Sequence, residues 1–476
     1  MSNDEDRLVE QPAITQLKGL GWEYIEVQKH SGELGPESER TSFKEVVLQT
    51  RLKKAIKRIN PWISEENLDR VTRRLVNPRA TNPRATTLLE INKDIWELLT
   101  NYTSVEQDID GKGRKNHTVK IIDFEHIENN EFVCLNQFKV YGKRQNIIPD
   151  IVLFVNGLPV VVIECKSPRI TKPMGEGIKQ LMRYANLRDP RDQEGEERLF
   201  YYNQLLISTH RDQSKSGTIS AKPKHYAAWK DPYPDTIKDI GADPNQQELM
   251  LAGACKPANL LDLIQNFTVY DEGVKKVARY HQFRAVNKAI IRMKSGETPK
   301  EKGGVIWHTQ GSGKSLTMVF FTIKTRTDPD LRKYKLVFLT DRTQLDKQLR
   351  ATFANTQEND IALANTIEDL KTMVEADASN IVLGMIHKFQ EREKGQTFPE
   401  LNKSEKVIVV CDEAHRTQYG KMGTYLNVAL PNASKIAFTG TPLIKTGKTT
   451  EVFGSYIDKY TIDQGVADGV IVDIVY

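Results

Sequence analysis

Apolar positions recur with a helical period near the start of the chain. Leu48, Leu52, Ile56 and Ile59 fall on one face with Lys53, Lys54, Lys57 and Arg58 opposite, and the segment up to about residue 100 reads as helical. The basic face reads first as solvated surface and second as a phosphate contact. From about Val119 to Ser208 the pattern changes to short β-branched runs with a helix between them, as in a compact α/β domain. Proline-bearing polar stretches, Asp231-Pro232-Tyr233-Pro234-Asp235 and Gly241-Ala242-Asp243-Pro244, then mark a boundary region. Beyond Leu260 the rhythm is strand, loop, helix, repeated. Strands at Gly304–Trp307, Lys335–Leu339, Ile381–Leu383, Val407–Cys411 and Ile436–Phe438 predict a parallel, doubly wound sheet. A chain of 476 residues exceeds one compact core, and the pattern divides it into domains at 1–258 and 259–476.

Charge changes this picture little. The formal excess of +5, from 68 basic and 63 acidic residues, is too small to identify a nucleic-acid partner and opposes none. Cys134, Cys165, Cys255 and Cys411 lie far apart without paired metal-ligand spacing, which fits a reducing cytoplasm without disulfides or zinc. The acidic N-terminus is no signal peptide. The longest apolar stretch, 151–163, is broken by Asn156, Gly157 and Pro159 and is too short to span a bilayer, so no membrane association is expected.

Chemistry is carried by motifs. Gly311-Ser312-Gly313-Lys314-Ser315 follows the apolar run Val305-Ile306-Trp307 and opens an apolar helix, the context a phosphate-binding loop requires. Its glycines let backbone N–H groups close around phosphate oxygens, Lys314 neutralises charge, and Ser315 offers a hydroxyl to Mg²⁺. His308 stands where Gly or Ala is usual. Val407–Cys411 is an apolar strand ending in Asp412 and Glu413 at the edge where such sheets bind ligands. There Asp412 would hold Mg²⁺ and Glu413 would position and deprotonate the attacking water. Asp412-Glu413-Ala414-His415 downstream of a P-loop resembles superfamily 2 helicases and translocases. Three further stretches match them: Tyr280-His281-Gln282, whose Gln282 resembles the glutamine that reads adenine; Leu336 to Arg342, resembling the strand and loop that grip DNA; and Phe438-Thr439-Gly440-Thr441-Pro442, resembling the segment that couples hydrolysis to movement. A kinase or small GTPase shares the P-loop but not these segments.

Upstream, residues 148–166 read as a hairpin turning at Asn156-Gly157. A three-residue connection, Asn156 to Leu158, would pair Val155 with Pro159 and place Asp150 opposite Glu164. Alternation puts Glu164 and Lys166 on one side and Cys165 on the other, in the core. Two acids and a lysine converge, and hard oxygen ligands of this kind suit Mg²⁺. The alternative is a strand ending in a surface salt bridge. The pattern resembles the PD-(D/E)XK nuclease core, with Asp150, Glu164 and the main-chain carbonyl of Cys165 as metal ligands and Lys166 beside them. Gln180 and Tyr184, four apart on the next helix, resemble the Gln-x-x-x-Tyr element of RecB-like nucleases. Glu10 reads first as a surface glutamate and second as the extra acid of those enzymes.

A RecB-like nuclease directly ahead of a RecA-like superfamily 2 lobe resembles HsdR, the restriction subunit of type I restriction-modification systems. Val277 to Gln282, Trp307 to Ser315 and Val466 to Val470 carry its wording. The resemblance implies an ATP- and Mg²⁺-dependent enzyme that acts on double-stranded DNA. It implies a complex with modification and specificity subunits, in which only the modification subunit uses S-adenosylmethionine. It also implies a second RecA-like lobe beyond Tyr476, so the chain is expected to be an N-terminal fragment that binds nucleotide weakly and turns it over little, the arginine finger being commonly worth about 10³–10⁵ in rate. Two other readings are a nuclease-helicase of repair or phage defence and a non-cleaving DNA-binding or assembly module.

Overall fold

The computed structural model describes residues 3–26, 39–189, 191–340, 361–364, 366–376, 378–384, 399–412, 426–440 and 448–470. The chain divides into two compact units, Met1–Val277 and Ala278–Tyr476.

The first unit is built on a six-stranded mixed sheet in sequential order: β1 (Glu23–Ile25), β2 (Phe132–Asn136), β3 (Ile151–Val155), β4 (Leu158–Cys165), β5 (Leu205–Thr209) and β6 (Ser214–Gly217). β1–β2 and β4–β5 pair in parallel, the others antiparallel. Every residue of β3 and β4 is buried, as expected of central strands covered on both faces. Up to residue 100 the chain is helical as expected, with helices at Gln11–Gly19, Gln49–Ile59, Glu65–Val76 and Leu88–Thr100, and an antiparallel hairpin, Thr103–Gln107 with Lys115–Val119, follows before β2. Leu52, Ala55 and Ile56 of the second helix are buried, while its basic face is taken up locally: Lys53 pairs with Asp69, Lys57 with Glu65, and Arg58 donates to the Asn129 carbonyl. β1 interrupts the helical segment, an element the pattern did not predict.

The β3–β4 hairpin reaches the expected register by a different route. Its connection has two residues, with Val155 opposite Leu158, and Asn156 and Gly157 both take positive φ, +51° and +81°. A bulge at Val160 then shifts the register by one, so that Ile151 faces Ile163 and the next position brings Asp150 opposite Glu164. The three-residue turn is therefore corrected to a two-residue turn plus a bulge. The turn is buried and clasped: the Gly157 carbonyl accepts from Leu48 N at 2.9 Å, and the Asn156 side chain bonds Ile121, Asn130 and Glu131.

The first unit continues past the expected boundary at 258. The helix Pro257–Asn266 and the hairpin Thr268–Asp271/Val274–Val277 belong to it. Lys275 is the reason: its buried ammonium donates to Asn92 Oδ1 at 2.9 Å, the Asn203 carbonyl at 2.8 Å and Gln204 Oε1 at 2.7 Å. Trp96 Nε1 likewise donates to the Ile264 carbonyl.

The second unit is a seven-stranded sheet in which every pair is parallel. Its strands are β7 (Gly304–His308), β8 (Lys335–Leu339), β9 (Ile361–Leu363), β10 (Ile381–Gly384), β11 (Val407–Asp412), β12 (Ser434–Thr439) and β13 (Tyr456–Tyr460), in the order β9-β10-β8-β11-β12-β7-β13. All five predicted strands are present; the two edges, β9 and β13, were not foreseen. Among the described residues no helix is long and apolar enough to cross a membrane.

Gly157 is the residue on which the hairpin most depends. A Cβ there would lie 2.5 Å from the Leu48 carbonyl oxygen and 2.9 Å from Leu52 N, at a φ that L side chains rarely adopt. Gly157→Ala is expected to cost roughly 1–3 kcal/mol, measured as a lowered urea midpoint; an unchanged midpoint would contradict the clasped turn.

Candidate functional sites

In the first unit, Asp150 and Glu164 meet at the end of the β3–β4 pair, 4% and 0% exposed. Asp150 Oδ2 accepts from Cys165 N at 2.8 Å, and its Oδ1 accepts from Gln137 Nε2 at 3.3 Å. Lys166 Nζ donates to Glu164 Oε1 at 2.6 Å and to the Cys165 carbonyl at 2.9 Å. Glu164 Oε2 is buried without a hydrogen-bond partner. The salt bridge is thus present, but Glu164 is buried, so the surface-pair alternative does not describe it. Cys165 faces the core, as alternation requires.

The helix Pro173–Tyr184 covers this cluster. Its Gly177 sits so close to β5 that a Cβ would lie 2.2 Å from Ser208 Oγ and 3.4 Å from Lys166 Cγ. Gln180 Nε2 donates to Tyr184 Oη, and Tyr184 Oη donates to the Ile148 carbonyl at 3.0 Å, two residues before Asp150. The predicted Gln180–Tyr184 face is therefore joined to the acidic cluster through the loop that delivers Asp150.

Glu10 is not a surface residue. It is 0% exposed at the end of a π-helical turn, Asp6–Glu10, and accepts from Asn136 Nδ2 at 3.1 Å and Gln137 Nε2 at 2.9 Å. One Gln137 amide thereby bridges Glu10 and Asp150. Glu5 Oε2 accepts from Ser167 N at 3.2 Å, adding a further acid beside Lys166. Gln137 and Glu5 carried no sequence signal, because neither sits at a recognisable spacing from the strand acids.

Burial and then Asp150 push the Glu164 carboxyl well above its ordinary value. Burial raises Asp150 to about 6, against the opposing pull of Lys166. Burial would lower Lys166, but Glu164 and Asp150 outweigh it and hold the ammonium charged. Two acids crowded against one lysine fit a divalent cation. Among the described residues no three His, Cys, Asp or Glu side chains form a metal-holding group. A cation here would rest on Asp150, Glu164 with its orphaned oxygen, and the Cys165 carbonyl, a donor set that suits Mg²⁺ keeping several waters.

In the second unit, the loop between β7 and the helix Lys314–Thr327 carries Gly311 and Gly313 at φ +83° and +86°. Lys314 is buried, its Nζ 3.4 Å from the His308 carbonyl oxygen. A Cβ on Gly440, just past β12, would lie 3.1 Å from Lys314 Nζ. Ser312 is buried, Ser315 half-buried, and Asp412 is buried at the same sheet edge. Gln282 is 3% exposed with both amide ends engaged: Oε1 accepts from Arg279 N at 2.9 Å, and Nε2 donates to the Gly313 carbonyl at 3.1 Å. It therefore holds the loop itself. Glu413, Ala414, His415, Asp341, Arg342, Thr441 and Pro442 lie outside the described residues.

The raised Asp150 value fixes a sign. An aspartate at 3.8 unfolded and about 6 folded gives stability that is full below the lower value and lost as pH rises through the higher. Without metal, the first unit should lose up to about 3 kcal/mol between about pH 4 and about pH 7, Glu164 adding in the same direction. Urea unfolding with and without Asp150→Asn measures this; an identical slope in the variant would remove Asp150 as the cause.

Each of the two regions matches a known protein family. Residues 2–225 match the family described as type I restriction enzyme R protein N terminus, and residues 281–476 the family described as SWI2/SNF2 ATPase. A putative type I restriction enzyme MjaIXP endonuclease subunit from Methanocaldococcus jannaschii is 34% identical over 99% of this chain and 46% of its own length. The type I restriction enzyme HindI endonuclease subunit from Haemophilus influenzae is 35% identical over 100% of this chain and 46% of its own. The chain thus spans about half the length of these relatives. A solved fragment of a putative HsdR subunit from Vibrio vulnificus YJ016 is similar at 18% identity, covering 68% of this chain and 52% of that one, with a TM-score of 0.29. With a restriction R-protein N-terminal domain followed by a SWI2/SNF2-type ATPase domain, the chain belongs to the family of type I restriction enzyme endonuclease (HsdR) subunits.

Proposed function

We propose that the chain supplies the nuclease and part of the motor of a type I restriction enzyme, cutting unmethylated foreign double-stranded DNA after ATP-driven translocation. Its complex would include modification and specificity subunits, in the cytoplasm, with S-adenosylmethionine confined to the modification subunit. The observation that carries this reading is the buried opposition of Asp150 and Glu164 beside Lys166, with Glu164 Oε2 lacking any partner.

Asp150, Glu164 and the Cys165 carbonyl would hold Mg²⁺, which when bound polarises the scissile phosphate and acidifies a water. Lys166 keeps its proton beside two carboxylates and offers positive charge to the phosphate or orients the water. Gln137 fixes the Asp150 carboxylate and ties it to Glu10. Gln180 and Tyr184 hold the Ile148 carbonyl, and so the approach of the Asp150 loop. In the second unit the P-loop amides and Lys314 would bind the phosphates of ATP, Ser315 and Asp412 its Mg²⁺, and Glu413 would activate water.

Complexes reconstituted from the full coding sequence with modification and specificity subunits test the assignment on unmethylated circular DNA. Lys166→Ala should lower cleavage by at least ~10²-fold while ATP hydrolysis continues, and Lys314→Ala should abolish both. Cleavage that survives Lys166→Ala would mean the nuclease site has been misplaced.

A further inference from the structure

Beneath the P-loop, charged and aromatic side chains from three elements meet, most of them out of solvent, and of these only His308, where the motif opens, belongs to the phosphate-binding motif. His308, at the end of β7, is 0% exposed, and its Nε2 lies 3.0 Å from Asp458 Oδ2. Asp458, on the neighbouring edge strand β13, is 3% exposed. It also accepts from Arg284 Nε at 2.7 Å, Arg284 Nη2 at 2.9 Å and Lys288 Nζ at 3.1 Å, both residues on the helix Tyr280–Ser295. One turn earlier on that helix, His281 Nε2 lies 3.1 Å from the Ser312 carbonyl oxygen, and its ring stacks on Tyr460 of β13 at 4.0 Å and 9°. The Tyr460 carbonyl in turn accepts from Thr309 N at 3.0 Å.

The loop is therefore held at three successive places: His308 by its side chain, Thr309 by its N–H, and Ser312 by its carbonyl. A carbonyl and a carboxylate can only accept, so His281 and His308 must both carry their hydrogen on Nε2. Burial lowers His281 to about 3 and lowers His308 as well, so both rings remain neutral donors near neutral pH. Lys314 Nζ lies against the carbonyl of the same His308. Displacing His308 therefore displaces the lysine's own contact. The residue that departs from the usual P-loop pattern is the one through which β13 reaches the loop.

We propose that Asp458 is a positioning residue for the nucleotide site: through His308, and through Arg284 and the helix bearing His281, it fixes the P-loop and Lys314 in their phosphate-binding arrangement before nucleotide arrives. This rests on the nucleotide-binding reading of the P-loop given above. Its consequence is on affinity. Asp458→Asn keeps the side-chain volume and removes the charge that holds His308 and Arg284 together.

Titration of the chain with a fluorescent ATP analogue and Mg²⁺ provides the test, with melting temperature and binding-competent fraction recorded for every variant. Asp458→Asn and His308→Gln should each weaken binding about tenfold, and the double variant should bind no more weakly than the weaker single, because both act through one contact. A purely structural role would lower the melting temperature or the competent fraction and leave the Kd of folded molecules at the wild-type value; that result overturns the proposal. Lys314→Ala separates the two readings. If it loses binding while the folded Asp458 and His308 variants keep theirs, the positioning role falls and the P-loop reading stands. If wild type does not bind, or Lys314→Ala binds as well as wild type, the P-loop reading falls and takes this one with it. Should Asp458→Asn fail to fold, His308→Gln alone decides by the same criterion.

Discussion

Two buried carboxylates with one lysine beside them are the constraint around which the first unit is arranged. In a medium of low polarity the repulsion of Asp150 and Glu164 is not screened, and each must find a cation, a proton or a donor. Lys166 answers part of this need on one Glu164 oxygen and leaves the other without a partner. The rest of the unit holds the acids where they would otherwise separate. The bulge at Val160 sets their register, the clasped Asn156-Gly157 turn fixes the hairpin, and Gly177 lets a helix close over the lysine. Gln137 joins Asp150 to Glu10. Such an arrangement is costly for a merely structural element, because well-packed apolar residues would be at least as stable there.

The second unit solves a different problem, which is to hold a glycine-bearing loop in a left-handed backbone conformation without filling the space it encloses. Its parallel sheet brings the P-loop and Asp412 to one edge, where ligands of such sheets bind. The loop's stiffness comes from outside its own motif. Gln282 takes the Gly313 carbonyl, and the Asp458 cluster takes His308 and, through the same helix, Ser312. Against the burial that would raise it, His308 and Arg284 hold the Asp458 carboxyl well below its ordinary value, so its charge persists in the cluster.

Much of this was legible because hydrophobic runs and glycine spacing are local properties. The five central strands of the parallel sheet are continuous apolar runs and could be read directly; β13 was hidden because its sequence, Tyr456-Ile457-Asp458-Lys459-Tyr460, carries the charges that brace the P-loop. The opposition of Asp150 and Glu164 was reached although the turn was misread, since a two-residue turn and a one-residue bulge together give the offset of a three-residue turn. Glu10 and Lys275 failed for the opposite reason. Each is an ordinary surface residue type whose burial is set by side chains far away in sequence, Asn136 and Gln137 for one, Asn92, Asn203 and Gln204 for the other. No local pattern announces such partners. The hairpin Thr268–Asp271/Val274–Val277 lies with the first unit, where Lys275 pins it.

The central claim, that the Asp150–Glu164 pair is built for a divalent cation, is tested most directly by calorimetric titration of the chain with Mn²⁺ or Mg²⁺ in the absence of nucleotide. The account predicts a saturable site that is lost in Glu164→Gln and retained in Lys166→Ala, since the lysine competes with the metal for Glu164 and does not ligate it. Binding that is absent from the wild type, or unchanged in Glu164→Gln, would contradict it.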